Sequence, residues 1–168
     1  RFSLIYGTVF ALKGLPLINS GDEIGMLNDR DYVNDPEKKD DSRYLHRPVF
    51  DWKKARRIGR KGTVENKLFS SIKALEGIRT GSPLFSPDAE VFTWDSHSDK
   101  VFAIRRRQGE KVLLLVFNYS HEPQNARFDY FMGTYHDILT GKAAEPGIGI
   151  KLEGYEALYL ANYDTQSR

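Results

Sequence analysis

The stretch "KVFAIRRRQGEKVLLLVFNYS", residues 100–120, carries the clearest indication of fold in this chain. Four consecutive apolar residues and three arginines precede the "QGE" turn signal, and a nearly continuous apolar run follows it. Alternation and short apolar runs separated by turn residues are typical of antiparallel strands. Residues 100–107 and 110–120 are therefore predicted to be two strands joined by a tight turn.

Similar short segments lie on both sides of this hairpin. Turn signals such as "SHSD" separate them, and further strands are predicted at 90–94, 125–129, 134–140, 149–152 and 155–163. Short strands at close spacing with tight turns are typical of a β-sandwich. Residues 84–168 are accordingly predicted to form an all-β antiparallel sandwich domain.

Ahead of the sandwich, the apolar period changes from two to that of a helix. Residues 64–80 are predicted to be helical, with Thr63 as N-cap and a stop at Gly81, Ser82 and Pro83. The apolar stripe of this helix would consist of Val64, Leu68, Phe69, Ile72, Leu75 and Ile78.

A second helix is predicted over residues 2–13, ending at Lys13 and Gly14. Its apolar face would contain Leu4, Ile5, Thr8, Val9 and Leu12. A chain that begins inside such a pattern, without an initiator Met, is expected to be a fragment of a longer protein.

The segment "GLPLINSGDEIG", residues 14–25, follows that helix directly. Its apolar run at 15–19, bounded by glycine, predicts a short strand buried on both faces. A helix that leads into a buried strand is typical of α/β proteins with parallel strands.

Residues 26–63 form a long charged excursion without a clear period, broken by Pro36 and Pro48. Loops of this length in compact domains are usually functional or disordered. The embedded aromatic residues favour an ordered loop; they are Tyr32, Tyr44, Phe50 and Trp52. Tyr32, Tyr44 and Trp52 could stack on sugar rings or simply pack the loop.

Composition excludes several classes of function. The chain has 168 residues, of which 40% are hydrophobic and 29% charged, and its 25 basic and 23 acidic residues leave a net charge of +2. This balance gives no electrostatic case for a nucleic-acid partner or an anionic membrane. The basic run "KKARRIGRKG" at 53–62 is better explained as a solvated surface than as an RNA or phosphate site. No apolar run is long enough to cross a bilayer, and we expect a soluble protein, cytoplasmic or secreted.

Together, "GLPLINSGDEIGM" and the later "DDSRYLHRPVF" resemble the C-terminal end of the α-amylase superfamily, glycoside hydrolase family 13, and within it amylosucrase and sucrose hydrolases. The resemblance implies that residues 1–83 are the end of a catalytic (β/α)₈ barrel, namely its seventh helix, eighth strand, eighth loop and eighth helix. The β-sandwich at 84–168 would be the C-terminal domain. The substrate would be sucrose or a related α-glucoside, used for glucosyl transfer or hydrolysis.

The resemblance also implies where the chemistry lies. The catalytic Asp, Glu and Asp of the family follow the fourth, fifth and seventh barrel strands, so all three would precede residue 1. We therefore expect no catalytic residue in this chain and no activity from it alone.

Asp22 and Glu23 are the first candidates for acid–base chemistry. Retaining glycosidases place two carboxyl groups about 5 Å apart across the scissile bond, whereas adjacent residues of an extended chain point to opposite sides. We therefore interpret both as structural residues that shape the rim of the pocket.

Arg47 is the better candidate for substrate binding, because arginine forms two-pronged hydrogen bonds with carboxylates and sugar hydroxyls. The resemblance implies that it lies at the floor of a glucose pocket and pairs with an Asp from elsewhere in the barrel; anchoring the loop is the alternative. Asp41 and Arg43 could shape the same loop or belong to a solvated charged face. His46 is interpreted as a hydrogen-bonded structural residue.

The sequence contains no motif for a cofactor or metal. The other histidines lack metal-ligand spacing, no P-loop or dinucleotide fingerprint occurs, and there is no cysteine. We predict no cofactor, no metal, and a small carbohydrate as the partner of the parent enzyme. The competing hypothesis is a non-catalytic carbohydrate-binding or structural β-domain. Binding would need an exposed aromatic platform, whereas the pattern points most aromatic residues inward.

Overall fold

The computed structural model describes residues 1–163. They form two compact units: one contains Arg1–Pro16 and the chain from Ala74 onward, and the other, here called the loop unit, is Leu17–Lys73. The helices are α1 (Phe2–Ala11), α2 (Trp52–Ala55) and α3 (Val64–Gly81). Short 3₁₀ turns lie at Asp22–Ile24, Asp31–Asn34, Ser42–His46 and Pro83–Phe85.

Eight strands follow α3. They are β1 (Glu90–Thr93), β2 (Val101–Gln108), β3 (Lys111–Asn118), β4 (Gln124–Ala126), β5 (Tyr135–Asp137), β6 (Ala143–Ala144), β7 (Ile150–Leu152) and β8 (Ala157–Ala161). The larger sheet has the order β1-β2-β3-β8-β5-β6, the smaller one pairs β4 with β7, and these pairings are antiparallel. The predicted antiparallel β domain is thus confirmed, and the short β6 is an addition to it.

The two sheets share one apolar core, as in a sandwich. The β2–β3 hairpin turns at Gly109, whose φ of 59° lies in the left-handed region that favours glycine. Every second residue of the long strands then points to the core. The core side chains are Val101, Ala103, Leu114, Val116, Ala126, Phe128, Phe131, Tyr135, Ile150, Leu152 and Leu160.

Helix α1 packs on the other face of the larger sheet. A side chain at Gly7 would collide with the Tyr159 hydroxyl and would lie 3.2 Å from the Phe117 ring, so glycine permits a close approach. Of the predicted apolar face of α1, only Leu4 is buried, whereas Thr8 and Val9 are half-buried. Ile5 and Leu12 are 56% and 48% exposed, and the buried residues are Leu4, Gly7, Phe10 and Ala11. An almost wholly apolar helix does not reveal its buried side, which the sheet selects here.

Two arginines hold the carboxyl end of α1. Arg106, only 1% exposed, donates from Nε to the Ala11 carbonyl at 3.0 Å and from Nη2 to Leu12 at 2.8 Å. Its Nη1 donates to the Leu84 carbonyl at 2.8 Å. Arg79 donates to the carbonyls of Phe10, Leu12 and Gly14. The last carbonyls of a helix lack partners within it, so cations stabilise this end.

Burial, and secondarily the charge of Arg79, lower the pKa of Arg106 to about 10. Arg106 therefore stays charged at neutral pH inside the domain. Its guanidinium also lies 4.3 Å from the centre of the Phe85 ring.

Helix α1 ends earlier than predicted. The sequence predicted its end at Lys13, but the helix ends at Ala11 and Leu12 is already extended.

The predicted buried strand at 15–19 does not form within residues 1–163, and its place in a barrel stays a prediction. Within residues 1–163 the segment pairs with no strand, and Leu15 and Leu17 are 91% and 83% exposed. A doubly buried parallel strand needs neighbours on its edges and faces, which the described residues do not supply to it. The boundary at residue 83 between a barrel and a sandwich stays a prediction.

Helix α3 agrees more closely with its prediction. Thr63 caps it, since its Oγ1 accepts the Asn66 N–H at 3.2 Å. Ile72 and Leu75 are buried, whereas Val64 at the first turn is 64% exposed. Ser82, after the helix, accepts the Leu84 N–H and starts the next turn. No helix among the described residues combines the length and hydrophobicity that a membrane span requires.

Candidate functional site

The turn at Gly21–Gly25 holds the two adjacent carboxylates. Gly21 and Gly25 have φ values of 102° and 66°, and Asp22–Ile24 forms a single 3₁₀ turn between them. The Glu23 Oε2 accepts the Gly21 N–H at 2.8 Å, and Ile24 is buried. Glu23 therefore braces its own turn, which is the geometry expected of a structural carboxylate.

Neighbouring parts of the loop unit clamp this turn. The Met26 N–H donates to the Gly21 carbonyl at 2.9 Å, and Lys54 Nζ of α2 donates to the Gly25 carbonyl at 2.8 Å. A Cβ on Gly25 would lie 2.7 Å from Leu68 Cδ1. Side chains other than hydrogen at Gly25 would thus be strained in both space and backbone conformation.

Asp41 and Arg43 form a tight pair at the start of the 3₁₀ turn Ser42–His46. The Asp41 carboxylate accepts the Arg43 backbone N–H at 3.0 Å, and it accepts the guanidinium through Nε at 2.8 Å and Nη2 at 2.7 Å. The Arg43 side chain, followed by its backbone N–H, lowers the pKa of Asp41 to about 2. The Asp41 carboxylate and the Arg43 guanidinium therefore neutralise each other as an ion pair.

Arg47 and His46 end the same turn, and both are exposed. The Arg47 N–H donates to the Tyr44 carbonyl at 3.1 Å, and its charge contributes to the low pKa of Asp41. His46 Nδ1 lies 3.2 Å from Asn28 Oδ1. The structure thus groups Asp41, Arg43 and Arg47 electrostatically and places His46 in a hydrogen bond. The predicted role of Arg47 in a glucose pocket stays a prediction.

The loop aromatics differ in their surroundings. Trp52 is 71% exposed and packs edge-on against Phe50, with ring centres 4.8 Å apart. Tyr44 lies beneath the Lys38 ammonium at 6.0 Å. Trp52 is therefore the ring of this group that offers a large surface to solvent.

Glu65 was not singled out by the sequence, yet it is the most deeply buried carboxylate of the loop unit. It is 3% exposed, its Oε1 lies 3.3 Å from Arg57 Nη1, and its Oε2 has no partner among residues 1–163. An acid in the first turn of a helix is common on helix surfaces, so the pattern contains no signal of its burial.

Two aromatic residues of the β domain lie at its surface. Tyr130 and Phe92 are 89% and 54% exposed, so they are exceptions to the mainly inward pattern expected of the domain. Among the described residues, no three His, Cys, Asp or Glu side chains are grouped as metal ligands would be.

Comparison with known proteins finds a family model that matches the β domain and solved structures that share the fold of the whole chain. The family model of a β-galactosidase C-terminal domain matches residues 100–160, which span β2 to most of β8. Over 96% of this chain, the fold is similar to trehalulose synthase MutB solved in complex with sucrose, at 19% identity and a TM-score of 0.72.

Two further solved structures have the same fold. AmyP in complex with maltotriose is similar over 96% of this chain, with 16% identity and a TM-score of 0.71. The maltogenic amylase from S. marinus is similar over 95%, with 23% identity and a TM-score of 0.63. The chain spans 38% of MutB, 34% of AmyP and 19% of the maltogenic amylase. The shared fold is therefore that of a part of larger enzymes.

Proposed function

We propose that this chain is the C-terminal portion of a glycoside hydrolase family 13 enzyme that acts on sucrose or a related α-glucoside. The observation that carries the proposal is the extent of the fold similarity, which covers 96% of the chain in both MutB and AmyP. A match of this extent includes the loop unit as well as the β domain. A shared β-sandwich alone would not produce it.

The exposed apolar residues of the chain support the same proposal. Leu15, Leu17, Leu27 and Val49 are each more than 80% exposed, at 91%, 83%, 83% and 89%. We propose that the rest of the parent enzyme covers these side chains. In the proposed parent enzyme, residues 15–19 become the eighth barrel strand, and the remaining strands bury them.

The proposed parent reaction is a retaining double displacement through a covalent glucosyl-enzyme intermediate. The nucleophile and the acid–base residue belong to the preceding part of the protein. The exposed Arg47 guanidinium supplies paired N–H donors for a sugar hydroxyl or a carboxylate in the pocket. Asp22, Glu23, Asp41, Arg43 and His46 shape the turns around it.

Kinetics of the complete gene product test the proposal. With sucrose and maltotriose as substrates, we expect the complete protein to consume at least one of them and residues 1–168 alone to consume neither. Arg47→Ala should lower kcat/KM at least about a hundredfold, since it removes charge-assisted hydrogen bonds. Arg60→Ala, an exposed arginine of the same unit, is the matched control and should leave kcat/KM unchanged.

The outcomes separate the candidate functions. Release of fructose with little free glucose would indicate glucosyl transfer to a glucan, and equal release would indicate hydrolysis. A complete protein that turns over neither substrate, together with saccharide binding by this chain, would favour the non-catalytic binding domain. Normal kinetics in Arg47→Ala would refute the pocket role alone.

A further inference from the structure

The small sheet of the sandwich covers only part of the larger one. Strands β4 and β7 have three residues each, whereas β2 and β3 have eight. At about 3.3 Å per residue, these lengths correspond to roughly 10 Å and 26 Å. Along the core face of β2, the buried Val101 and Ala103 are accordingly followed by Arg105 and Arg107.

A cavity of about 290 Å³ lies at this uncovered end, beside the β2–β3 turn. Its principal side chains are Trp94, Arg105, Arg107, Glu110, Tyr130 and Tyr135. The size is at the lower limit of small-molecule pockets, which span about 300–1,000 Å³. It therefore suits one sugar ring or the end of a short chain.

Two aromatic residues, Trp94 and Tyr130, line the cavity. Trp94 is held in place: its ring centre lies 5.4 Å from that of Phe131, and its indole N–H donates to the Asp129 carbonyl at 3.2 Å. Tyr130 is 89% exposed and has a φ of 72°. Positive φ is unfavourable for a bulky residue, and such strain is concentrated at ligand sites.

Arg105 forms the polar part. Its side chain is 19% exposed, its guanidinium carbon lies 4.5 Å from the Trp94 ring centre, and its Nη2 is 3.6 Å from Glu90 Oε2. The Nε atom is buried and has no partner among the described residues. Buried donors are almost always satisfied, so the unpartnered Nε marks Arg105 as incompletely bonded among the described residues.

The charges around the cavity favour a neutral ligand. Arg105 and Arg107 are balanced by Glu90 and Glu110, so the site has no excess charge that would select a phosphate or a carboxylate. Aromatic rings suit the apolar face of a sugar, while guanidinium donors and carboxylate acceptors suit its vicinal hydroxyls. A polyhydroxy ring is the neutral ligand class that meets both demands.

From the exposed Tyr130, the fixed Trp94 and the under-bonded Arg105, we infer that this cavity is an accessory saccharide-binding site on the β domain. It takes the end of an α-linked glucose oligosaccharide, and the choice of α-linked glucose rests on the proposed function. The cavity lies wholly within the unit that contains the β domain, so it is testable with this chain.

Calorimetric titration of residues 1–168 with maltotriose tests the site directly, and we expect saturable binding. Tyr130→Ala should weaken binding about tenfold, which corresponds to about 1.4 kcal/mol. Met132→Ala is the matched control, because Met132 is 82% exposed in the same loop but does not line the cavity. Arg105→Lys keeps the charge while removing the planar donors, and it should also weaken binding.

Tryptophan fluorescence tests whether maltotriose binds near Trp94. The chain has two tryptophans, so Trp52→Phe leaves Trp94 as the sole reporter. We expect its emission to change with maltotriose at the midpoint found by calorimetry. The proposal is overturned by absence of binding up to millimolar maltotriose, by inorganic phosphate binding in place of sugar, or by equal affinities of the Tyr130→Ala and Met132→Ala variants.

Failure of this site and failure of the proposed enzyme are separable. Turnover by the complete protein without saccharide binding by this chain would refute the accessory site and support the proposed enzyme. Saccharide binding by this chain without turnover by the complete protein would support the site and refute the proposed enzyme.

Discussion

The β domain and the loop unit are ordered by different forces. In β3 the six consecutive residues Leu113–Asn118 are buried, and both sides of the larger sheet contribute to the packing. In the loop unit, 17–73, the buried residues are Gly21, Ile24, Glu65 and Ile72. Removal of apolar area from water therefore stabilises the β domain far more than the loop unit.

Local polar contacts replace a core in the loop unit. Four aspartates each accept the backbone N–H of the residue two positions ahead: Asp29 from Asp31, Asp35 from Glu37, Asp41 from Arg43, and Asp51 from Lys53. Such Asx contacts stabilise turns. An abundance of aspartate would suggest a disordered segment. In the loop unit, however, the aspartates form the hydrogen bonds that shape its turns.

The largest difference in stability between the two regions is expected when a phenylalanine in each is replaced by alanine. Phe128→Ala removes a fully buried ring from the β core and should lower the free energy of unfolding by about 3–5 kcal/mol. Phe50→Ala, in the loop unit, removes a half-buried ring and should cost about 1 kcal/mol. Urea denaturation followed by fluorescence measures both. Equal losses would show that the loop unit has a core of comparable strength.

A second test concerns the buried charge of the β domain. Arg106→Ala leaves carbonyls at the end of α1 and at Leu84 without partners, and it should cost about 3 kcal/mol. Arg107→Ala, at the exposed neighbouring position, should change the free energy of unfolding by less than about 0.5 kcal/mol. A similar loss in both variants would mean that charge in general, not the bonds of Arg106, stabilises the domain.

The smallest effect is expected at the surface pair of the loop unit. The pKa of Asp41 lies below its ordinary 3.8, at about 2, so its stabilising contribution is fully present above about pH 4 and is lost as the pH falls through 2. Carboxyl ¹³C shifts followed by NMR should give this midpoint. Arg43→Ala should return it towards 3.8, and Arg47→Ala should move it less. A midpoint unchanged by Arg43→Ala would refute the pairing.

Much of the β domain could be predicted from its residues. The short apolar run of "VFAIRRR" and the longer one of "VLLLVF" predicted β2 and β3, and the hydroxyl of Thr63 predicted the cap of α3. These features depend on neighbours within a few residues. The two-residue β6 escaped prediction, because "AA" has no strand pattern and pairs only because β5 lies beside it.

Other features depend on residues far apart in the chain. The buried side of α1 is selected by Phe117 and Tyr159, more than a hundred residues away from Gly7. Arg105, Arg106 and Arg107 are equivalent in the sequence. In the structure, Arg106 is buried beneath α1 and the other two flank the cavity on the opposite face. The cavity at Trp94 was missed by the sequence. For the candidate site the sequence predicted roles that stay predictions, at Asp22, Glu23, Asp41, Arg43, His46 and Arg47.

By itself, the sequence determined the strand pattern of the β domain, the extent and cap of α3, and the turn-rich character of residues 26–63. Periodicity, capping and Asx chemistry are local, so they are visible in a string of residues. Only the tertiary structure decided which face of α1 is buried, that Arg106 becomes an interior charge, and that the residues around Trp94 meet in one cavity. Those outcomes depend on which strands become neighbours and on how far the smaller sheet reaches across the larger one.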